Sequence, residues 1–392
     1  MDCNEVKHKG EGVSRRDLLR FLGAGVAVGN LSTAASAARN PRWYGFNLLE
    51  YFSTDTDWMK YFPYKNDGVF LEDDFRWMRD WGFNFARLPM DYRFWTEPDL
   101  FTIRESRVEP VDRAIRLGEK YGIHVNIGLH RAPGYCILDG MDEKATGIHV
   151  TREKTNLFRD KRTLDAFVHQ WTFFAKRYKG IPSESLSFNL VNEPLVGGKR
   201  KPLIGQRADY TRVARLALAG ILEQDPIRPV VTDGFPAGSG PIPELYDAGL
   251  IQSGHQYSPS QLTHHKCEWV RRPQMPALPP PGWPLKDSNG NLTSDRQTLA
   301  KSFQPWAEAA ARVPIHFGEM GCYKHTPPGV VIAWFEDSLS VFDDLGAGWA
   351  LWNFRGPFGI LDTERDGTKF DDWHGHKLDS KLLTVLQAHM KR

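Results

Sequence analysis

The chain has 392 residues, 41% of them hydrophobic and 25% charged, and its 50 Lys+Arg nearly cancel 48 Asp+Glu to leave +2. That is ample for a large buried core and argues against disorder, while the lack of basic blocks excludes an electrostatic footprint for nucleic acid. No apolar run approaches the ~20 residues that cross a bilayer, so no membrane span is expected, and coiled-coil, collagen-like and disulfide-scaffold compositions do not fit.

The first forty residues read as an address. Ser14-Arg15-Arg16-Asp17-Leu18-Leu19-Arg20 carries a twin-arginine pattern, a Gly/Ala-rich apolar stretch covers 21–31, and Ala35-Ser36-Ala37 is an A-x-A site. The expected organisation is a Tat export signal over 1–37 and one folded domain over 38–392, with a periplasmic or secreted destination in a bacterium. Cys3 leaves with the signal. Cys136, Cys267 and Cys322 remain, with no C-x-x-C pair and no metal-ligand spacing. Three thiols permit one disulfide at most, and three packed thiols is the simpler expectation.

From there, short apolar or β-branched runs alternate with amphipathic stretches. Strands are predicted over 44–48, 83–88, 124–129, 186–190, 230–232, 252–257, 315–318 and 349–352. Helices are predicted over 71–81, 110–121, 162–178, 208–224, 242–248, 297–312 and 330–345, with a last one from Ser380 towards Met390. Eight strands each followed by a helix predict an α/β fold, a single (β/α)8 TIM barrel. A doubly wound open sheet competes, but no Gly-rich dinucleotide turn follows the first strand. No solenoid repeat or interdomain linker interrupts the pattern. The span 258–294 stands outside it, rich in proline and tryptophan (Pro259, Trp269, Pro273, Pro276 and Pro279-Pro280-Pro281-Gly282-Trp283-Pro284). Following strand six, it is expected on the open face of the barrel as a lid or binding wall, the alternative being a surface insertion without function.

Chemistry in such barrels sits at the C-terminal ends of the strands, because the interior is packed and the following loops form the open face. Those ends supply Arg87, His130, Asn192 and Glu193, His255 and Tyr257, Glu319, and Trp352 from strands two, three, four, six, seven and eight. Glu193 and Glu319 stand on opposite sides of the mouth. Such a pair is what glycoside hydrolysis with retention requires: one carboxylic acid protonates the leaving oxygen and one carboxylate attacks the anomeric carbon, ~5–5.5 Å apart. Arg87 and Tyr257 are expected to bond Glu319 and hold it ionised, while the less charge-compensated Glu193 keeps its proton longer. Trp352 offers an aromatic floor for a sugar ring.

These residues carry a family resemblance. Leu186-Ser187-Phe188-Asn189-Leu190-Val191-Asn192-Glu193-Pro194 resembles the N-E-P signature of family 5 glycoside hydrolases, the cellulase-like members of clan A, and Ile315-His316-Phe317-Gly318-Glu319-Met320-Gly321 resembles their nucleophile strand. The likeness runs from Gly45-Phe46-Asn47 to Trp352-Asn353, with all eight residues of the family's active-site pattern in order. It implies Glu193 as general acid/base and Glu319 as nucleophile. It further implies Asn192 on the substrate 2-hydroxyl, Arg87 and Tyr257 orienting the nucleophile, His130 and His255 lining the −1 subsite, and Trp352 as its platform.

The implied activity is retaining hydrolysis of a β-linked polysaccharide or oligosaccharide, cellulase- or β-glucanase-like. The implied partner is a carbohydrate substrate; no cofactor and no metal are implied. Exo-acting β-glucosidases, β-mannosidases and arabino- or galactofuranosidases share the site pattern, as do transglycosylases, which use the same covalent intermediate. An inactive carbohydrate-binding barrel is the non-enzymatic alternative, disfavoured by the paired glutamates. A metal-dependent hydrolase is rejected, because the one tight His pair, His264-His265, lies in the irregular span without a matching carboxylate. Arg131-Ala132-Pro133-Gly134-Tyr135-Cys136 is bulkier than a simple loop, and Glu50 is a candidate for a sugar hydroxyl or else a surface carboxylate. Trp95, Trp269 and Trp283 are expected to extend the cleft or wall it off. Closure of one end by the long loop would make the enzyme exo-acting.

Overall fold

The computed structural model describes residues 40–55, 69–140, 143, 149–195, 206–270 and 279–390. All of them fall in one compact unit spanning 37–392. The Tat signal expected over 1–37 lies outside the described residues. No helix among the described residues is long and apolar enough to cross a membrane.

Eight strands close into a barrel: β1 (Tyr44–Asn47), β2 (Phe85–Asp91), β3 (His124–Ala132), β4 (Leu186–Asn189), β5 (Val230–Asp233), β6 (Ile251–Gln256), β7 (Ile315–Met320) and β8 (Gly348–Leu351). Each is parallel to both neighbours, and β1 pairs with β8 to complete the ring. The helices around it are α1 (Glu72–Asp80), α2 (Glu109–Tyr121), α3 (Lys161–Arg177), α4 (Arg207–Gln224), α5 (Arg296–Ser302), α6 (Gln304–Ala310), α7 (Pro328–Leu345) and α8 (Ser380–Ala388). This is the (β/α)8 fold.

Local sequence accounts for the element ends. Asp160, Asp295 and Asp379 cap α3, α5 and α8 by accepting the backbone N–H three residues on. Gly122 and Gly346 close α2 and α7 in the left-handed conformation that a side chain disfavours. Two predicted helices differ. The stretch 297–312 is broken into α5 and α6 at Phe303, because Pro305 has no N–H to continue the first helix and suits the first turn of a new one. The stretch 242–248 is a single 3-10 turn, Pro243–Leu245. The long span after β6 is also less irregular than expected. It contains a one-turn helix (Ser260–Thr263), a 3-10 turn (Glu268–Val270) and a hairpin pairing Leu285–Lys286 with Leu292–Ser294.

The main core lies between strands and helices. Phe317 on β7 stacks on Phe342 of α7 at 3.9 Å, and Phe188 on β4 stacks on Trp171 of α3 at 5.4 Å. Inside the barrel, side chains form layers. At the N-terminal end Trp43, Phe85 and His124 stack together, with Trp43 and His124 4.2 Å apart, and His316 meets Trp43 edge-on, so that the four plug the floor. Above them sits a polar layer built on Arg87, Asn47 and Asn189. Burial brings the floor imidazoles down to about 4 for His124 and about 3 for His316, so both remain neutral and the plug carries no charge.

Candidate active site

Arg87 organises the layer beneath the mouth. It lies inside β2, not at its end, because that strand runs on to Asp91. Its Nε donates to Asn189 Oδ1 at 2.9 Å, Nη1 to Asn47 Oδ1 at 2.8 Å and to Glu319 Oε1 at 2.7 Å, and Nη2 to Asn192 Oδ1 at 2.7 Å. One planar guanidinium thus ties four strands or strand ends together. Gly318 lets β7 approach β6 closely, since a Cβ there would stand 2.7 Å from Ser253 Oγ. Because Arg87 occupies its oxygen, Asn192 keeps only the Nδ2 amide to donate, and that buried nitrogen has no partner among the described residues.

Glu319 is buried and receives Tyr257 Oη at 3.0 Å on its second oxygen. Burial pushes its carboxyl up, against the downward pull of His255 and Arg87. Burial also carries the Tyr257 phenol well above its ordinary range, so it stays a donor. Glu193, beyond the end of β4, has a left-handed backbone (φ 46°) held from both sides. Its N–H donates to Asp233 Oδ2 at 2.9 Å, and its carbonyl accepts from Tyr135 Oη at 2.6 Å. Its carboxylate faces His255 Nδ1 at 2.9 Å.

His255 is surrounded by acids. Besides Glu193, Glu319 Oε2 lies 3.5 Å from Nδ1, and Asp233 Oδ2 lies 3.2 Å from Nε2 at an angle too bent for a linear hydrogen bond. Burial would strip the imidazole of its proton, but these three carboxylates outweigh it and push the group up to about 10. Burial would likewise raise Asp233, yet His255, Arg87 and the Glu193 N–H hold it at about 2. Glu193, His255 and Glu319 bring potential ligand atoms within 4.8 Å of one another. An acid faces each ring nitrogen of His255, an arrangement that favours the imidazolium over a ring with a lone pair to give a metal.

Trp352 stacks on His130 at 5.7 Å, and Phe52 meets both rings edge-on. Burial and the nearby Arg87 and Arg131 hold His130 well below its ordinary value and therefore neutral. These aromatics and both glutamates line a cavity of about 330 Å³. Its far wall is Ile137 and Leu138 from the loop after β3, with Trp269 and Val270 from the span after β6. A second recess of about 450 Å³ adjoins it, lined by Ser239, Ser258, Ser260 and Ser302. Glu193 and Tyr257 line both, whereas Glu319 lines only the first.

All eight residues singled out at the strand ends therefore converge. Other expectations change. Trp95 is fully buried, bonds Gln170 of α3 at 2.8 Å and belongs to the scaffold. Trp283 bonds Asp337 of α7 and is likewise absent from the cavity wall. Only Trp269 of the three walls the cavity. Glu50 is buried, not a surface carboxylate, and does not line the cavity. Cys136, Cys267 and Cys322 are separate buried thiols.

Two polar residues were missed. The predicted strand 230–232 stops one residue short of Asp233, the true end of β5; the strand-end rule would have found it. His264 was weighed only as half of a metal pair, yet it lines the cavity. Thr263 Oγ1 donates to the Tyr257 carbonyl at 2.7 Å, so the 3.0 Å contact with His264 Nδ1 has the ring donating. Burial lowers His264 to about 4, leaving a neutral ring whose Nε2 is an acceptor.

A family model described as cellulase (glycosyl hydrolase family 5) matches residues 42–356. Endoglucanase C of Acetivibrio thermocellus is 25% identical over 315 residues, covering 74% of this chain and 85% of that protein. Cellodextrinase A of Ruminococcus flavefaciens is 24% identical over 220 residues, 54% of this chain and 60% of that protein. A crystal structure described as a glycoside hydrolase is 35% identical, covers 88% of this chain and 99% of its own, and superposes with a TM-score of 0.75.

Proposed function

The chain belongs to glycoside hydrolase family 5 and is a glycosidase acting on O-glycosyl compounds, and from that premise we propose retaining cleavage of a β-glucan by double displacement at Glu193 and Glu319. The observation that carries the reading is the closeness of the two carboxylates. One oxygen of Glu193 and one of Glu319 lie within 4.8 Å of each other, which fits the ~5–5.5 Å spacing of a retaining pair better than the ~6.5–9.5 Å of an inverting one.

The two recesses support the division of labour. A sugar ring in the aromatic cavity presents its anomeric carbon to Glu319, and the departing fragment occupies the serine-lined recess. Glu193, on the border, protonates the glycosidic oxygen as Glu319 attacks. After departure, water enters from the serine side, gives its proton to Glu193 and releases the sugar from Glu319. Arg87 and Tyr257 aim Glu319, the spare Asn192 amide donates to the ring's 2-hydroxyl, and Trp352 carries the ring face. The relatives named for glucan and cellodextrin favour a β-glucan substrate.

A second reading concerns mode of attack. The cavity is near the lower end of the ~300–1,000 Å³ usual for small-ligand sites, and Trp269 and Val270 stand across one side. That favours chain ends or short oligosaccharides over the middle of a polymer. Product analysis of 38–392 on β-1,4- and β-1,3-glucans, mannan and aryl glycosides, with Glu319→Gln as blank, tests both. Internal fragments first would overturn the exo reading. Sugar binding without any product would overturn the hydrolase assignment in favour of a binding barrel, and transfer to added acceptors in preference to water would make it a transglycosylase.

Residues 1–37 are proposed as a Tat signal directing the catalytic domain, 38–392, to the periplasm or beyond, on the strength of Arg15-Arg16 and Ala35-Ser36-Ala37. Replacing both arginines with lysine should strand the enzyme in the cytoplasm. Export of that variant at the wild-type level would refute the assignment.

A further inference from the structure

Beneath the two glutamates lies a third acid for which the double displacement has no direct use. Asp233 is fully buried at the end of β5, behind Glu193 and His255, and is not itself among the residues lining either recess. Its Oδ1 accepts from Asn189 Nδ2 at 2.9 Å, and its Oδ2 accepts from the Glu193 N–H and faces His255 Nε2. Arg87 Nη2 is 3.8 Å away. We propose, building on the roles assigned above to Glu193 and Glu319, that Asp233 is a positioning residue that keeps His255 a permanent cation, so that one imidazole serves whichever glutamate is negative.

Charge balance makes the case. The buried site holds two cations, Arg87 and His255, and three acids, Asp233, Glu193 and Glu319. With Glu193 protonated the sum is zero. In the glycosyl-enzyme Glu319 is an ester and Glu193 has given up its proton, so the sum is again zero. The negative charge simply moves from one side of His255 Nδ1 (Glu319, 3.5 Å) to the other (Glu193, 2.9 Å). A neutral imidazole with its proton on Nε2 would offer Nδ1 as a lone pair to both carboxylates and repel each in turn. Asp233, on the opposite nitrogen, favours the doubly protonated ring over any neutral one, and so keeps a proton on Nδ1 as well as on Nε2. Its hold on the Glu193 N–H also fixes the left-handed backbone that aims the acid.

The other titratable neighbours do not compete for this role. His130 on β3 and His316 on β7 are held neutral by burial, Tyr257 and Tyr135 keep their phenolic protons, and Arg87 is committed to Glu319 and three asparagines.

The sign of the pH effect is fixed. Glycosylation needs protons on both His255 and Glu193, and removing a neighbouring negative charge makes the pair lose its first proton at lower pH. In D233N the basic limb of kcat/KM, measured with an aryl β-glucoside or β-cellobioside that the wild type turns over, should move down by about one to three pH units. Activity on the acid side should be much less affected. A uniform loss at every pH would mean a merely structural Asp233 and overturn the proposal. The amide retains only one of the two acceptors, so a second measurement stands independent of that variant's folding. Imidazole NMR titration of the wild-type enzyme, assigned with H255Q, should show His255 protonated through pH 8.5. Titration near the ordinary ~6.5 would sink the idea. Failure of the underlying roles reads differently: E193Q would then slow activated and unactivated aryl glycosides alike.

Discussion

Two of the ionic clusters buried among the described residues are centred on neighbouring strands, and only one of the two opens into the cavity. Around Arg87 and His255, donors are left over: Asn192 Nδ2 has no partner among the described residues, and both glutamates open into a cavity. Around Arg131 and Arg93, the carboxylates are taken up by the two guanidiniums and neighbouring donors. Arg131 reaches Glu153 at 3.0 Å, Asp139 at 3.2 Å and Asp55 at 3.4 Å, while Arg93 takes Asp91 at 2.6 Å and Asp55 at 3.1 Å. Glu153 is further tied by Tyr92 Oη and the Gly134 N–H. Burial of charge therefore does not identify a reactive site; an unfilled hydrogen-bonding position facing an open volume does.

Four perturbations sharpen the contrast. The largest effect is expected from Glu319→Gln, which removes the attacking oxygen. Hydrolysis should fall by about 10⁴-fold or more with the fold intact, measured as kcat alongside thermal unfolding. Residual activity near wild type would refute the nucleophile. Glu193→Gln should cost about 10²–10⁴-fold on substrates with poor leaving groups and much less on dinitrophenyl glycosides, with azide restoring turnover. In the closed cluster the loss should move from rate to stability. Arg131→Met removes the cation shared by Glu153, Asp139 and Asp55 and should destabilise by about 3–5 kcal/mol in denaturant unfolding, while kcat of the folded fraction stays near wild type. A kcat loss without destabilisation would erase the distinction between the clusters.

The smallest effect is a pH dependence. Burial raises the Glu153 carboxyl above its unfolded value, so folding takes up a proton, and its contribution improves as pH falls from neutrality towards the ordinary carboxyl range. Asp233, held at about 2, behaves oppositely: its contribution is complete above its unfolded value and disappears as pH falls through about 2. The melting temperature of wild type relative to Glu153→Gln should therefore rise between neutral pH and about 4.5. A flat difference would show that Glu153 is not strained by burial.

The barrel and the eight converging residues were legible because both follow local rules: alternation of apolar runs with amphipathic stretches, and polar residues at strand ends. What escaped depends on register and on tertiary partners. His130 and Arg131 are consecutive on β3, and strand alternation sends them to opposite faces and so to different clusters, while the pairing with β2 slips beside them from Met90 opposite Leu129 to Asp91 opposite Arg131. No pattern of residue types announces that slip. Trp95 and Trp269 are alike in composition, and only packing sends one under α3 and the other over the cavity. His264 gained its meaning from a hydroxyl, that of Thr263, whose proton is already spent elsewhere.

The plugged floor has a consequence for traffic. With Trp43, His124, Phe85 and His316 filling the barrel's lower end, fuel and exhaust share one doorway. On the proposed mechanism the departing fragment and the incoming water queue for the same serine-lined recess. Its lining mixes four serines and Gln256 with the rings of Tyr257 and Phe303, so on that mechanism both hydroxyl and aromatic contacts are on offer to the departing fragment. On that mechanism, whichever enters this recess second, water or another sugar, receives the captured sugar.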